Sequence, residues 1–536
     1  MAYAVTHDIL DEAMREDWSR FDLAASCYSL LQKSIPSEQT FLSTYCADGG
    51  SGTPSNPNLP IIRQKKYVYA KMLAGDGGRF IQSGKVYGLL QKDLDGLALE
   101  PYKDEALNEL TLLWLLIMAI DLSCVESGRL RSDELEFPLN HFCRDDVGVY
   151  FSSYTGFINE HLLSASIEAI PELTFNGQLD MLLFYRPTIE RRYPNLVVAR
   201  QGGQPSRALV GGILQGEPEM PSTQIRIGLE QFSGASIFGW EESGAPLSFV
   251  CDGGQSFVAS YSERYTDLFY VLVREAIDNA VDSGCDILLF PEYVMAPALT
   301  DAMSSYLSSL KTSGSLKLVV AGSGWVDDSD NAGGDNVCVL YTGRGRRLGC
   351  VYKRDPFIGT QTIGGVAYTR VEHLSHPGEE ITVVDVPGIG RVATAICRDL
   401  VSDDRYPLDL ARDIGADIVC VPALSNSLDR GFGIQLDMLS ERNLSIGCVC
   451  NLCCARVVRN GESQATVSCV SYPAPPSANP KQPEHKIAYT YKTVDCLSKC
   501  SRALRESSPH SCLWTVDIVR LENGFSANVE RYSSIA

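Results

Sequence analysis

The chain has 536 residues, too many for one ordinary domain, so two units are expected. Hydrophobic residues make up 45% and charged ones 21%, with a mean hydropathy of -0.04, which excludes global disorder and fits a protein that buries a large core. A formal net charge of -20 and a sequence pI near 4.9 remove the overall positive charge that drives non-specific nucleic-acid binding, so nucleic acid is not an expected partner.

The opening residues, MAYAVTHDILDEAMRED, carry acids where an export signal needs a basic end followed by an apolar run, and the expected compartment is the cytoplasm. Apolar residues recur at helical spacing over 9–31 and 104–125. Residues 1–220 therefore read as a mainly α-helical N-terminal domain, interrupted by a polar loop at 46–60, CADGGSGTPSNPNLP. The most apolar run, LTLLWLLIMAI at 110–120, falls well short of the roughly 18–20 residues that span a bilayer; it predicts a core helix, and no membrane partner is expected. Asp145 and Asp146, in FCRDDVGVYFS, precede an alternating stretch as paired metal-holding carboxylates do in polymerase and reverse transcriptase palms. The region is too short for a palm and lacks its third acid on an earlier strand, so a solvated turn is expected. Residues 200–221 are rich in Gly and Pro and read as the connection to a second domain over 221–536.

That second domain alternates strands and helices. QIRIGLE at 224–230 is an opening strand, and residues 266–282 have helical spacing. Gly284 then caps the helix, and 286–290 is the next strand, closed by Pro291 and Glu292. Strands follow at 316–321, 337–341 and 348–352, the last leading into Lys353, the only lysine between Lys317 and Lys481. RVATAICRD at 391–399 reads as a buried strand ending in an elbow with Cys397 at its tip. Pro407 starts a helix through Ile414, residues 446–451 form a late strand, 472–485 are a proline-rich insertion, and 513–519 are the last predicted strand. GCDILLFPE at 284–292 is echoed by GADIVCVPA at 415–423, which suggests two related halves. Eighteen cysteines are scattered without an export signal and are expected as reduced thiols. Cys448, Cys450, Cys453 and Cys454 contain one C-x-x-C pair, with no second pair and no nearby histidine, so no metal site is expected.

A thiol needs a base and a cation beside it to be a nucleophile at neutral pH. A strand-end carboxylate, a lone lysine and a strand-end cysteine, in that chain order, offer the set. PE (Pro291, Glu292), YK (Tyr352, Lys353) and ICRD (396–399) resemble the carbon-nitrogen hydrolase (nitrilase) superfamily over roughly residues 222–536. The resemblance implies an α/β fold, an αββα sandwich of two similar halves, here preceded by the helical N-terminal domain. It also implies hydrolysis of a non-peptide carbon-nitrogen bond, in an amide ahead of a nitrile. Cys397 would be the nucleophile and Glu292 the base. Lys353 would stabilise the oxyanion, a donor role commonly worth about 2.7–4 kcal/mol of barrier. Glu372, in VEHLSHPG, matches the family's second glutamate, although an exposed loop acid is its other reading. Residues 446–451 resemble the family's late strand before its asparagine, and Gly461 and Ser463 resemble its G-x-S turn. No cofactor or metal is implied; the expected partners are a small-molecule amide or nitrile and further copies of the chain, as a homo-oligomer.

The chain departs from the family pattern in two places. Four extra residues, Val401 to Asp404, separate Leu400 from Arg405, Tyr406 and Pro407, and Asp355 and Pro356 follow the lysine motif. Three other readings stay open at this level. Cys397 could pair with His373 or His376 as in a cysteine protease. The domain could serve the N-terminal region as an assembly or sensing module, including one in a bacterial defence-type system. The thioester could also pass to an amine, making the protein an acyltransferase.

Overall fold

The computed structural model describes residues 20–35, 59–75, 105–126, 148–151, 182–185 and 195–200 near the N-terminus, then most of 224–474, and 488–494 and 510–532. Near the N-terminus, helices α1 (Arg20–Ser34) and α2 (Leu59–Gly75) pack against α3 (Glu105–Glu126). Almost every side chain of α3 from Leu110 to Asp121 is buried, including Trp114, as its unbroken apolar run predicts. Short strands Gly148–Phe151 and Leu182–Tyr185 pair antiparallel, so the described part of 1–220 is helical but not wholly so. Asp145 and Asp146 lie outside the described residues, as do Cys453, Cys454 and 475–487 of the proline-rich insertion.

Fourteen strands form one mixed sheet. In chain order they are β1 (Leu196–Arg200), β2 (Gln224–Glu230), β3 (Ile287–Leu289), β4 (Leu318–Asp327), β5 (Gly334–Thr342), β6 (Arg347–Tyr352) and β7 (Ile381–Val386). There follow β8 (Gly390–Thr394), β9 (Ile418–Ala423), β10 (Ile446–Asn451), β11 (Ser468–Ala474), β12 (Ala488–Val494), β13 (Leu513–Leu521) and β14 (Gly524–Arg531). The spatial order is β12-β11-β10-β9-β8-β7-β6-β5-β4-β3-β2-β13-β14, with β1 parallel to β7. The sheet thus draws in a strand from upstream of residue 221. Its far ends meet, β11 against β14, and β9 approaches β4, so the sheet folds over into two layers.

The sequence echo has a structural meaning. β2, β3 and β4 are parallel neighbours, joined by α4 (Glu263–Asp282) and α5 (Pro297–Ser309). β8, β9 and β10 repeat the pattern with α6 (Tyr406–Asp413) and α7 (Phe432–Arg442). The aspartates of the echo do the same work in both halves. Asp286 Oδ2 accepts the Arg226 N–H at 2.9 Å, and Asp417 Oδ2 accepts the Arg391 N–H at 2.7 Å. Each carboxylate pins the start of the middle strand to the strand before it.

Period-two alternation divides the cores. Ile287 and Leu289 point between the layers, whereas Leu288, with Val319 of β4, faces α4 and α5, whose Phe269, Val273 and Met303 cover it. Gly284 ends α4 at φ +73, with its N–H bonded to the Val281 carbonyl and that of Cys285 to Ala280. This paired closure needs a left-handed residue, which glycine adopts without a steric penalty.

A second sheet was not foreseen. It has five short strands, ordered Ile358–Ile363, Val366–Glu372, Ser256–Tyr261, Leu247–Cys251 and Phe238–Trp240. Its first hairpin connects the loop after Lys353 to Glu372.

Candidate active site

Four chain segments converge where strands end. Just past β3, Pro291 hands the chain to Glu292, and Gly322 of β4 makes the close approach possible. A Cβ at Gly322 would lie 2.2 Å from the Pro291 carbonyl oxygen, and its φ of +70 is itself a glycine conformation. Tyr293 follows at φ 64, with its N–H on Ser323 Oγ at 3.3 Å. Lys353 continues β6, with its N–H on the Asn336 carbonyl at 3.0 Å. Glu372 ends its strand and is 3% exposed, which overturns the reading of it as an exposed loop acid. Cys397 follows β8 at φ 48, where the chain turns sharply into a short 3-10 segment, Cys397–Val401. A non-glycine residue in this region is strained, and such strain is found where geometry serves a site.

The structure brings the sequence-predicted residues together. Lys353 Nζ lies 2.7 Å from Glu292 Oε1 and 2.7 Å from Glu372 Oε2, with all three side chains buried. Glu292 Oε2 accepts the Leu424 N–H at 3.0 Å, and Cys397 Sγ lies 3.9 Å from the Leu424 carbonyl, so carboxylate and thiol share one backbone residue. Leu424 directly follows the echoed segment, and next to it Asn451 holds Ser425 through both side-chain atoms, at 3.0 and 2.9 Å. His376 instead pairs with Asp335 at 2.8 Å and is half exposed.

Counting donors separates the two carboxylates. Glu372 accepts from Tyr293 Oη at 2.5 Å, Asn336 Nδ2 at 3.0 Å, the Phe357 N–H at 2.7 Å and Lys353. A carboxylate has about four acceptor positions, so Glu372 is filled. Glu292 accepts from Lys353, from Asn336 Nδ2 at 3.0 Å and from Leu424, which leaves one position facing the thiol. Of the three Lys353 N–H donors, two serve these carboxylates, which leaves one over.

Electrostatics agree with this division. Burial, the dominant cause, raises the Glu292 carboxyl above its ordinary range, with Lys353 opposing. Burial also pushes the Cys397 thiol well up, and the Glu292 charge adds to this, while Lys353 acts the other way. The resting thiol is therefore protonated, and a protonated thiol reacts as a nucleophile only if its proton is taken up. For Lys353, burial disfavours the charge, but two carboxylates more than compensate and keep it an ammonium.

Three residues of the site carried no role in the sequence reading. Asn336, fully buried at the start of β5, bridges Glu292 and Glu372; its Oδ1 has no partner among the described residues. Leaving such an oxygen unpaired costs about 1–3 kcal/mol, and the opposite amide orientation would aim it at two carboxylates instead. Tyr293 only gave the hint of an aromatic next to the glutamate. Asp399 was visible as part of ICRD, without a purpose. It accepts the N–H groups of Arg354 at 3.0 Å and Asp355 at 2.8 Å on one oxygen and that of Ile396 at 3.1 Å on the other. One buried carboxylate thus rivets the segment after Lys353 to the Cys397 elbow. Burial pushes Asp399 up to about 7, despite those bonds.

Cys448 and Cys450 are buried on β10, with Cys450 Sγ 3.1 Å from the Glu230 carbonyl. Among the described residues no group of three or more His, Cys, Asp or Glu side chains is arranged to hold a metal ion.

Solved structures of nitrilase-superfamily members match about half of the chain. Saccharomyces cerevisiae Nit3, of branch 10 of that superfamily, is 16% identical, with 52% of this chain and 94% of that chain covered at a TM-score of 0.31. An amidase from Nesterenkonia sp. is 16% identical, covering 52% and 94%, at 0.30. A glutamine-dependent NAD+ synthetase from Acinetobacter baumannii is 15% identical, covering 56% of this chain and 47% of that one, at 0.35. No family model matches the chain, and no curated protein matches its sequence.

Proposed function

We propose that residues 221–536 carry a carbon-nitrogen hydrolase that cleaves a non-peptide amide through a cysteine thioester. The observation that carries this reading is a buried ammonium shared by two carboxylates, one of them with an acceptor position open towards a strained thiol. Cys397 Sγ attacks the amide carbon while its proton passes to Glu292, and the carbonyl electrons move onto an oxygen held by the free Lys353 N–H. The tetrahedral species collapses, the carbon-nitrogen bond breaks, and Glu292 gives its proton to the departing ammonia or amine. Water then attacks the thioester, losing a proton to Glu292. The carbon-sulfur bond breaks, the acid leaves, and the proton returns to sulfur.

The test is intact-mass spectrometry after incubation with a library of small amides, alongside an assay for released ammonia. The expected result is an acyl adduct on Cys397 and ammonia release, both absent in Cys397→Ala, with Glu292→Gln slowed by about 10²–10⁴-fold. An adduct elsewhere, or ammonia release that survives Cys397→Ala, overturns the assignment. Retention of the chain's biological effect in Cys397→Ala would favour an assembly or sensing module.

A further inference from the structure

Two carboxylates in one buried site compete for the same proton, and which of them takes it depends on the donors each already meets. Lys353 does not make that choice, because it touches both glutamates at 2.7 Å. Asn336 adds a second bridge. Its Nδ2 donates to Glu292 Oε1 and Glu372 Oε1, each at 3.0 Å, while its carbonyl accepts the Lys353 N–H at 3.0 Å. One residue therefore touches three of the four groups, two through the side chain and one through the backbone. Tyr293 and Phe357 add two donors to Glu372 where Leu424 adds one to Glu292, so Glu292 is the carboxylate with an open position, and the Asn336 amide ties it to its filled neighbour.

We propose that Asn336 is a positioning residue, whose side-chain amide holds Glu292 and Glu372 around Lys353 and keeps Glu292 ionised, ready to accept the Cys397 proton. This rests on the hydrolase reading above. A hydrogen-bond donor favours the ionised form of its acceptor, so losing the amide makes Glu292 easier to protonate and a weaker acceptor at low pH. Substitution leaves the backbone bond to Lys353 in place, which separates the amide's effect from that of the strand.

The experiment is the rate of Cys397 alkylation by iodoacetamide as a function of pH, followed by intact mass, in wild type, Glu292→Gln, Asn336→Ala and Asn336→Ser. In wild type the rate rises with pH through an acid limb set by Glu292, and Glu292→Gln loses that limb. Asn336→Ala is expected to move the limb up by about one pH unit, the size of a lost hydrogen bond to a charged group. Asn336→Ser, whose single hydroxyl can serve only one carboxylate, is expected to move it by less, and stands in for Asn336→Ala if that variant does not fold. A limb that stays at the wild-type pH in both variants, with only the rate scaled, overturns the positioning role. Wild type without an acid limb, or Glu292→Gln that keeps it, overturns instead the choice of Glu292 as base.

Discussion

Replacing Lys353 with methionine keeps most of the side chain's volume and removes its charge, which isolates the ammonium's electrostatic work. In the native site one ammonium sits between two buried carboxylates at 2.7 Å each. Without it, two buried anions face each other, and removing one partner of such a pair typically costs about 3–5 kcal/mol. The site's remedy is to bind a proton. Glu292, already above its ordinary value of 4.5 through burial, rises further because the opposing pull of Lys353 is gone. A carboxyl raised on folding contributes its stability below the unfolded value and loses it as pH climbs through the folded one. The deficit of Lys353→Met against wild type is therefore small near pH 4 and grows to about 3–5 kcal/mol at neutral pH. Urea unfolding followed by tryptophan fluorescence, at several pH values, reads this directly, since Trp325 and Trp514 are buried in the two cores. A deficit that does not change with pH, or none at all, refutes the charge-balancing role of Lys353.

Other expected outcomes follow from single residues. Glu230 is buried at the end of β2, accepting from Phe232, Cys512 and Ser511, and burial pushes it from 4.5 to about 7. Wild-type stability should therefore fall between those pH values by up to about 3 kcal/mol more than that of Glu230→Gln, measured by urea unfolding across the window. Asp399→Asn presents an amide N–H to one or other of the backbone donors it now accepts. It should slow Cys397 alkylation at least tenfold, whereas a rate equal to wild type would show that the tie between elbow and lysine segment is dispensable. Gly284→Ala meets nothing closer than 3.8 Å and should cost only its left-handed backbone, about 1–2 kcal/mol, with Cys397 reactivity kept. Gly322→Ala, with a Cβ 2.2 Å from the Pro291 carbonyl, should displace Glu292 and suppress alkylation; equal reactivity of the two variants would contradict the stated route from β4 to the base.

Much of the fold was legible because it is written in local patterns. Strand β2 has the predicted bounds, α3 follows its apolar run, and the repeated G-x-D-I segment marks equivalent strands in two β-α-β-α-β halves. The residues with chemistry were legible too, since a carboxylate, an ammonium or a thiol at a strand end stands out from its apolar neighbours. The five-stranded sheet was not, because its strands are short and its first hairpin is largely exposed, so period-two burial leaves little trace in residue type. β14 was missed although Phe525, Ala527 and Val529 alternate with Ser526, Asn528 and Glu530, the period-two pattern of a half-buried strand.

By itself the chain order of Glu292, Lys353 and Cys397 determined which side chains could carry nucleophilic chemistry and that each follows a strand. The family resemblance assigned the base to Glu292, but chain order alone gives no physical ground for preferring it to Glu372. That depends on how many donors each carboxylate meets, and the donors come from residues as distant as Tyr293, Asn336, Phe357 and Leu424. Hydrogen bonds act over about 3 Å, so the difference in surroundings between two identical functional groups exists only once folding has chosen their neighbours.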